Sequence, residues 1–526
     1  MHKHPFGPGL AIVPLVIPWV SPFTYGPTTV VTQSLLVLCC AAWVMIFLSA
    51  GWCSAAGRLQ AIRAAWLIAA CLSAILGLLQ YLGLSASFIP WVSYVDAGQA
   101  YANLRQRNQQ ATLLAIGLCA LLWWPLVAAA KTTMDQARRW QAHWVTRLAL
   151  GMAALLLATA DAATGSRTGM LQLLVLLGLG LLWKRGRVAL GLMLLAYAVA
   201  ASLLPRLAGL DPLHSGILGR LAEPTSLCSS RLTLWSNVLH LISQKPWTGW
   251  GWGELGYAHF MTLYSGERFC EIMGNAHNLP LHLAVELGLP AALVLCGMGL
   301  WLVLRSQPWR ERDATRQMAW SVLAVIGAHS LLEYPLWYAP FQLTTVLALW
   351  LLWKVPGTRD EAVTGAAAAR IGRDRLSLET ASSASTSPWT QLLACALLLA
   401  CGYVGWDYWR VSQIYLGQAQ RAPSYREDTL EKIRPSWLFA GQVKFAELGI
   451  TPLTAENAQH IHALALDLLH FSPEASVVTK LIESAERLGQ PEEARAYRQR
   501  FQAAYPREYA SWLTSRTRSD AGDKAP

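Results

Sequence analysis

Between residues 10 and 409 the chain is a succession of apolar runs, separated by short segments rich in arginine and lysine. A helix needs about 20 residues to cross a hydrocarbon core of roughly 30 Å. By that length the pattern predicts spans near residues 9–21, 30–50, 64–84, 109–130, 147–163, 168–183, 188–204, 279–304, 317–332, 339–353 and 389–409. Segment 231–243 is amphipathic, carries Arg231, Asn237 and His240, and is placed on the surface or half inserted. The expected fold is therefore all-α: a polytopic helical membrane protein with about eleven to thirteen spans. From Arg410 onward the pattern becomes charged and helix-periodic, which predicts a helical domain outside the membrane over residues 410–526.

Charge orients these spans. Threading from Lys3 puts five basic clusters on one side: Arg58 and Arg63; Lys131, Arg138, Arg139 and Arg147; Lys184, Arg185 and Arg187; Arg305, Arg310, Arg312 and Arg316; Lys354, Arg359, Arg370, Arg373 and Arg375. Positive charge is retained on the cytoplasmic side, so these loops are read as cytoplasmic. A miscounted span would invert everything after it and scramble the sorting. The resulting organisation is a membrane domain over 1–355 with a large outer loop at about 205–278. A cytoplasmic linker over 356–388, rich in Ala, Ser, Thr and Arg, leads to a last span at 389–409, and residues 410–526 lie outside.

Composition agrees with a membrane protein: 526 residues, 54% hydrophobic and 14% charged, with mean hydropathy +0.33. The net charge of +11 could suggest nucleic acid, but its location in short clusters between apolar runs is explained by membrane orientation, and no nucleic-acid partner is expected. The ten cysteines show no zinc spacing; most sit inside apolar runs, while Cys228 and Cys270 share the outer loop and are candidates for a disulfide in an oxidising compartment. The first apolar stretch contains Pro14 and Pro18, lacks a small-residue cleavage site, and is read as a retained span. Most of the twenty-five tryptophans, including Trp123, Trp124, Trp183, Trp350 and Trp353 at span ends, are assigned to the membrane interface.

The outer side is poor in acid yet holds Arg105 and Arg107 beside Gln106, Asn108 and Gln109, then Arg167 in GSRTG, Arg231, Lys245 and His277. Guanidinium groups present planar, permanently charged donors that suit phosphate oxygens. One such arginine is equally explained by a carboxylate or lipid phosphate neighbour; the set points to an anionic lipid headgroup. His277 precedes a span and is suited to accept a proton near neutral pH, although a lone loop histidine is more often structural. His282 with Glu286 and His329 with Glu333 are i, i+4 pairs; the first reads as a satisfied polar contact, and the second is open to that reading or to a functional one. Glu333 to Tyr338, EYPLWY, is a tight connection whose aromatic residues suit the interface; Tyr334 is also placed to orient a sugar or headgroup. The outer side carries no DxD, HExxH or phosphate-binding loop, so neither a metal-held nucleotide sugar nor ATP is indicated, and no cofactor is expected.

In order along the chain, YANLRQRNQQATLL, GSRTG, SRLTLWSNVLHLISQKPWTGWGWGELGYAHF, NAHNLPLHLAVELGLP and HSLLEYPLWYAPF resemble the Wzy/O-antigen ligase superfamily. EYPLWY and the proline-rich VPLVIPWVSPF are similar to its branch of bacterial protein O-oligosaccharyltransferases, which glycosylate pilins. The resemblance implies a glycosyltransferase in the bacterial inner membrane with its active site facing the periplasm. It would move a preassembled glycan from undecaprenyl diphosphate to a Ser or Thr hydroxyl of a pilin-like acceptor, without a metal and with inversion. His277 matches the family's general base, Gln106 its glutamine and Tyr334 its tyrosine; Arg167 and Arg231 match arginines that bind the donor diphosphate. Arg105 and Arg107 join that set by position alone.

Three alternatives share features of the sequence: a lipopolysaccharide O-antigen ligase with a lipid acceptor, a polymerase of the same superfamily, and a transporter of lipid-linked glycan. The helical C-terminal domain and EYPLWY disfavour the first. A transporter would show polar residues near mid-span in related halves, whereas the polar cluster lies at one face. Within the C-terminal domain, SVVTKLIESAERLGQPEEARAYRQRFQAAYP is similar to a tetratricopeptide unit, with Ala485 and Ala494 where its helices should approach closely. One such unit is too short for a free solenoid, so either an acceptor platform or a stabilising module is expected.

Overall fold

A computed structural model describes residues 9–49, 55–124, 136–211, 215–222, 227–355 and 388–522. Lys131 and the linker residues 356–387 lie outside the described residues. The helices, in chain order, are α1 (Gly9–Val20), α2 (Thr29–Ser49), α3 (Ala55–Tyr81), α4 (Arg107–Leu122), α5 (Gln136–Thr164), α6 (Arg167–Leu182) and α7 (Arg187–Leu207). There follow α8 (Gly216–Ala222), α9 (Arg231–Gln244), α10 (Leu255–Met261), α11 (Leu279–Leu287), α12 (Leu289–Ser306), α13 (Ala314–Ser330), α14 (Ala339–Lys354) and α15 (Pro388–Ser412). The C-terminal region adds α16 (Thr429–Ile433), α17 (Ala440–Ile450), α18 (Ala458–Phe471), α19 (Ala475–Arg487), α20 (Pro491–Ala504) and α21 (Pro506–Gly522). No strand occurs among the described residues. The chain is an all-α, multi-pass membrane protein.

Among the described residues six helices are long and apolar enough to cross a membrane: Thr29–Phe47, Gly57–Tyr81, Trp144–Thr164, Arg187–Leu207, Leu289–Arg310 and Pro388–Tyr415. The other five expected spans fall on α1, α4, α6, α13 and α14, of 12, 16, 16, 17 and 16 residues. At about 1.5 Å per residue these are shorter than the hydrocarbon core. The shortness of α4 has a physical context: 12 of its residues are buried, so protein rather than lipid surrounds most of it. Backbone groups buried in protein need not match the membrane thickness. The stretch expected as one span over 279–304 is instead two helices, α11 and α12, that break at Gly288.

The chain divides into two compact units: residues 1–24, 29–223 and 303–402 form the first, and residues 25–28, 224–302 and 403–526 the second. In the first, α3 packs on α1, α4 and α5, while α4 also packs on α6 and α13. Trp66, Leu113, Ile116, Leu157, Leu176 and Val322 are among its fully buried apolar side chains. Trp123, expected at the interface, lies in this core instead. It is 1% exposed, donates Nε1 to Gln317 Oε1 at 2.9 Å and meets Trp183 edge-on at 5.7 Å. An indole at a helix end is drawn inward when a neighbouring helix offers its N–H an acceptor.

The second unit has two apolar centres. One joins α9, α10 and α11 through Leu234, Val238, Ala258, Phe269 and Val285. Here the segment after α9 runs against the α11–α12 break: Trp250 N donates to Val285 O at 2.9 Å, Gly251 N to Glu286 O at 3.0 Å and Leu289 N to Pro246 O at 2.8 Å. Gly249 and Gly288 permit that approach. A Cβ on either would fall 2.3 Å from a carbonyl oxygen, of Glu286 or Trp247, and both have positive φ. The other centre lies among α18, α19 and α20, where Ala485 and Ala494 are fully buried. Phe260 of α10 completes it at 2% exposure. Around that insertion, Arg500 Nε donates to Met261 O at 3.0 Å, and His470 stacks on Tyr257 at 3.9 Å while bonding Glu254 at 2.8 Å.

Candidate active site

In the first unit the polar features gather at the start of α4. The preceding loop is held by two buried amides. Gln80 donates Nε2 to the carbonyls of Ser93 and Ala102 and accepts from Tyr101 N. Asn103 donates Nδ2 to Val20 O and Trp91 O and accepts from Ser93 N. The chain then turns through Arg105 at φ +58° and enters α4, whose first free amide is capped by Gln106: its Oε1 accepts from Gln109 N at 3.0 Å.

A cavity of about 250 Å³ opens at this corner, lined by Pro18, Val30, Leu36 and Leu104 on its apolar side and by Arg105, Gln106, Gln109 and Tyr338 on its polar side. Its polar wall also holds Ser21, Thr24, Thr29, Gln33 and Asn103, and among the described residues Arg105 is its one charged side chain. Gln106 has committed its oxygen to the cap, which leaves its Nε2. Gln109 is 2% exposed and its amide lies against the Tyr338 hydroxyl. The N-terminus of a helix adds partial positive charge, and no acidic residue occupies the first turn of α4. Such a surface suits a ligand rich in acceptor oxygens, with an apolar part beside them.

The expected site residues of this unit are placed as follows. Arg105 is exposed and donates Nη2 to Pro22 O at 3.1 Å and to Thr24 Oγ1 at 3.2 Å. Arg107 turns to Tyr101, donating to its hydroxyl at 2.7 Å and lying over its ring at 5.2 Å, and it does not line the cavity. Arg167 opens α6, exposed, and donates to the carbonyl of Arg220. Tyr334 precedes a short 3₁₀ turn over Pro335–Trp337 and stacks on Tyr338 at 5.7 Å, which places it one ring from the cavity wall.

Within the second unit, Arg231 is the first residue of α9, capped by Ser230, and His277 lies just before α11, capped by Asn278. Trp235, one turn beyond Arg231, donates Nε1 to Ala276 O at 3.1 Å and so ties α9 to the histidine's loop. His277 is half-buried at φ +50°, and its amide donates to Asn275 Oδ1 at 2.9 Å. A left-handed non-glycine residue is uncommon, and such outliers gather at functional sites. Cys228 and Cys270 are joined, with Cα atoms 5.3 Å apart, and Cys270 N donates to Cys228 O at 3.1 Å. His282 and Glu286, both buried, meet at 3.4 Å.

Two groups had no role assigned from sequence. Beneath the loop, His259 accepts at Nδ1 from the Tyr264 hydroxyl at 2.8 Å and donates Nε2 to Phe269 O at 3.1 Å. Burial, and then the Arg268 guanidinium, hold its pKa down at about 3, against the opposing bond to Phe269 O, so it is neutral. In the first unit, Asn108, Ser166 and Glu333 form a hydrogen-bonded set, with Thr112, Gln172 and His329 one turn below. Polar residues at i, i+4 within apolar helices, Asn108 with Thr112 and His329 with Glu333, were the signal that marks them. Among the described residues no cluster of three metal-binding side chains occurs.

Comparison with known proteins follows the same order along the chain. A family profile described as protein glycosylation ligase matches residues 100–124, which contain the α4 corner. One described as O-antigen ligase matches residues 152–296, containing Arg167, Arg231 and His277. One described as virulence factor membrane-bound polymerase, C-terminal, matches residues 317–519. A general O-oligosaccharyltransferase of Acinetobacter baylyi is 28% identical over 293 residues, 52% of this chain and 47% of that protein. A ComP-specific O-oligosaccharyltransferase of the same organism is 29% identical over 113 residues, 22% of this chain and 20% of that protein. The chain thus spans about half the length of the first relative and a fifth of the second. Along one polypeptide it matches, in part, profiles described as protein glycosylation ligase, O-antigen ligase and membrane-bound polymerase.

Proposed function

We infer that the chain is an O-oligosaccharyltransferase that moves a preassembled glycan en bloc from undecaprenyl diphosphate to a Ser or Thr hydroxyl of a pilin-like protein. The reaction takes place on the periplasmic side of the bacterial inner membrane. The observation that carries this reading is the cavity at the α4 corner. Gln106, Gln109 and Arg105 line a space that also has an apolar wall, as a lipid diphosphate requires. The names of the two relatives support the reaction class.

The acceptor oxygen attacks the anomeric carbon directly. The new glycosidic bond forms as the bond from that carbon to the diphosphate oxygen breaks, and the configuration inverts. The acceptor proton passes to His277, acting as general base, and the lipid diphosphate leaves with the electron pair. Arg167 and Arg231, with Arg105, stabilise the charge that develops on the leaving oxygen. Gln106 and Tyr334 orient the headgroup. General-base catalysis contributes about 10² to 10⁴ in rate, and holding both substrates together supplies much of the rest.

The test is transfer in vitro with purified protein, undecaprenyl-diphosphate glycan and a pilin-like acceptor, read by intact acceptor mass. Arg167→Ala or Arg231→Ala should weaken donor binding by about 1.5–3 kcal/mol, the worth of a charge-assisted contact. Chelators should leave turnover unchanged. Transfer to lipid A-core in place of protein would replace this reading with the lipopolysaccharide ligase, and loss of activity on chelation would replace the metal-independent scheme.

A further inference from the structure

Asn108 joins three elements, and each partner is the chain neighbour of a proposed site residue. Its Nδ2 donates to Glu333 Oε1 at 3.1 Å, beside Tyr334. Its Oδ1 accepts from Ser166 Oγ at 2.7 Å, beside Arg167. Asn108 itself follows Gln106 and Arg107 in the first turn of α4. Ser166 is 2% exposed and also caps α6, accepting from Gly169 N at 3.0 Å. Glu333 is 6% exposed. One amide therefore fixes the relative register of the α4 corner, the start of α6 and the EYPLWY turn.

One helical turn lower the same elements are bridged again. Thr112 Oγ1 bonds His329 Nδ1 at 2.8 Å and accepts from Gln172 Nε2 at 2.8 Å, and Gln172 also donates to Val325 O at 3.0 Å. Thr112, Gln172 and His329 are at most 1% exposed. This lower tier touches the upper one through backbone carbonyls, Thr112 Oγ1 donating to Asn108 O at 2.9 Å and Glu333 N to His329 O at 2.8 Å, and none of these side-chain bonds reaches the Asn108 side-chain amide. It holds the helices together, while the upper tier sets where Gln106, Arg167 and Tyr334 stand.

We propose that Asn108 is a positioning residue for glycan transfer, clamping the three elements that present these groups through Ser166 and Glu333; the proposal rests on the functional reading above. Flexible donors adapt singly to a bound diphosphate, whereas the transition state needs them aligned at once. Misplacement by about 1 Å can cost on the order of 10²-fold in rate. The clamp is therefore expected to act on kcat more than on lipid affinity.

The experiment measures kcat for transfer and Kd for undecaprenyl diphosphate in full-length variants, with thermal unfolding alongside. Asn108→Ala and Glu333→Ala should each lower kcat about 10- to 100-fold and change Kd less than about threefold, and the double variant should be no worse than either. Glu333→Gln, which keeps an oxygen for Asn108 Nδ2, should restore most of kcat. Thr112→Val should lower the unfolding temperature with little change in kcat. Should Asn108→Ala not fold, Ser166→Ala carries the same test from the other end of the bond. Asn108→Ala turnover within twofold of wild type, losses that multiply in the double variant, or kcat losses in Thr112→Val that match those of Asn108→Ala would overturn the clamp alone. A wild-type protein that binds the lipid and transfers nothing from any lipid-linked glycan would overturn the functional reading and the clamp with it.

Discussion

Replacing His277 by glycine separates the chemistry of the side chain from the demands of the backbone. At φ +50° any L-residue is held in a region that glycine enters freely. Left-handed geometry costs a non-glycine residue roughly 1–2 kcal/mol. His277→Gly and His277→Ala both lose the imidazole, but only alanine keeps the strain, so the glycine variant should be the more stable by about 1 kcal/mol. If the second unit melts as one block, that is roughly 2–4 °C. Turnover should move the other way: both variants should lose about 10² to 10⁴ in rate, the contribution of a general base. The assay pairs thermal unfolding in detergent with transfer to an acceptor protein. A glycine variant that turns over normally would show that the residue serves only the turn. A glycine variant less stable than alanine would show that the backbone argument is wrong.

Three other outcomes follow from the second unit. Phe260→Ala should destabilise the α18–α20 core by about 3–5 kcal/mol, the usual cost of truncating a buried phenylalanine, and should expose the C-terminal helices to protease; unchanged resistance would remove α10 from that core. The Cys228–Cys270 bond closes a separation of 42 residues, worth about 4 kcal/mol in chain entropy. Reduction should therefore lower the unfolding temperature, and stoichiometric alkylation of both cysteines without reductant would exclude the bond. His259, with its pKa depressed to about 3 by burial, binds a proton more readily when unfolded. Its stabilisation is complete above about pH 6.5 and is lost as pH falls toward 3, by up to about 1.4 kcal/mol per unit. Between pH 7.5 and 5 the wild type should lose more stability than His259→Gln, and equal losses would refute this.

Hydrophobic pattern made the helices legible because each apolar run but that over 279–304 falls on a single helix. The same rule missed the break at Gly288, because the cause is outside the run: the backbone at Trp247 presses where a Cβ would sit. Trp123 was misplaced for a similar reason, since its acceptor on Gln317 is 194 residues away. At the candidate site, the family resemblance singles out Gln106 and Tyr334; Gln106 lines the cavity and Tyr334 stands one ring from it. Arg107 shows the limit of arguing from position: adjacent to Gln106 in sequence, it faces Tyr101 because a helix turns successive residues about 100° apart. The partners of Asn108 lie 58 and 225 residues away, and only tertiary structure reveals that one amide serves both.

The insertion of Phe260 among the C-terminal helices sets a condition on how the protein is made. Phe501, deep in the same core, follows it by 241 residues. At about 5–20 residues per second, synthesis of that stretch takes on the order of 10–50 s, during which Phe260 lacks its C-terminal partners. Both segments must also be delivered to one side of the bilayer, so the chain between them crosses an even number of times. Four crossings satisfy that condition and three do not. A ribosome halted before α18 would leave a nascent chain with Phe260 uncovered, a substrate for whichever chaperone guards that side of the bilayer.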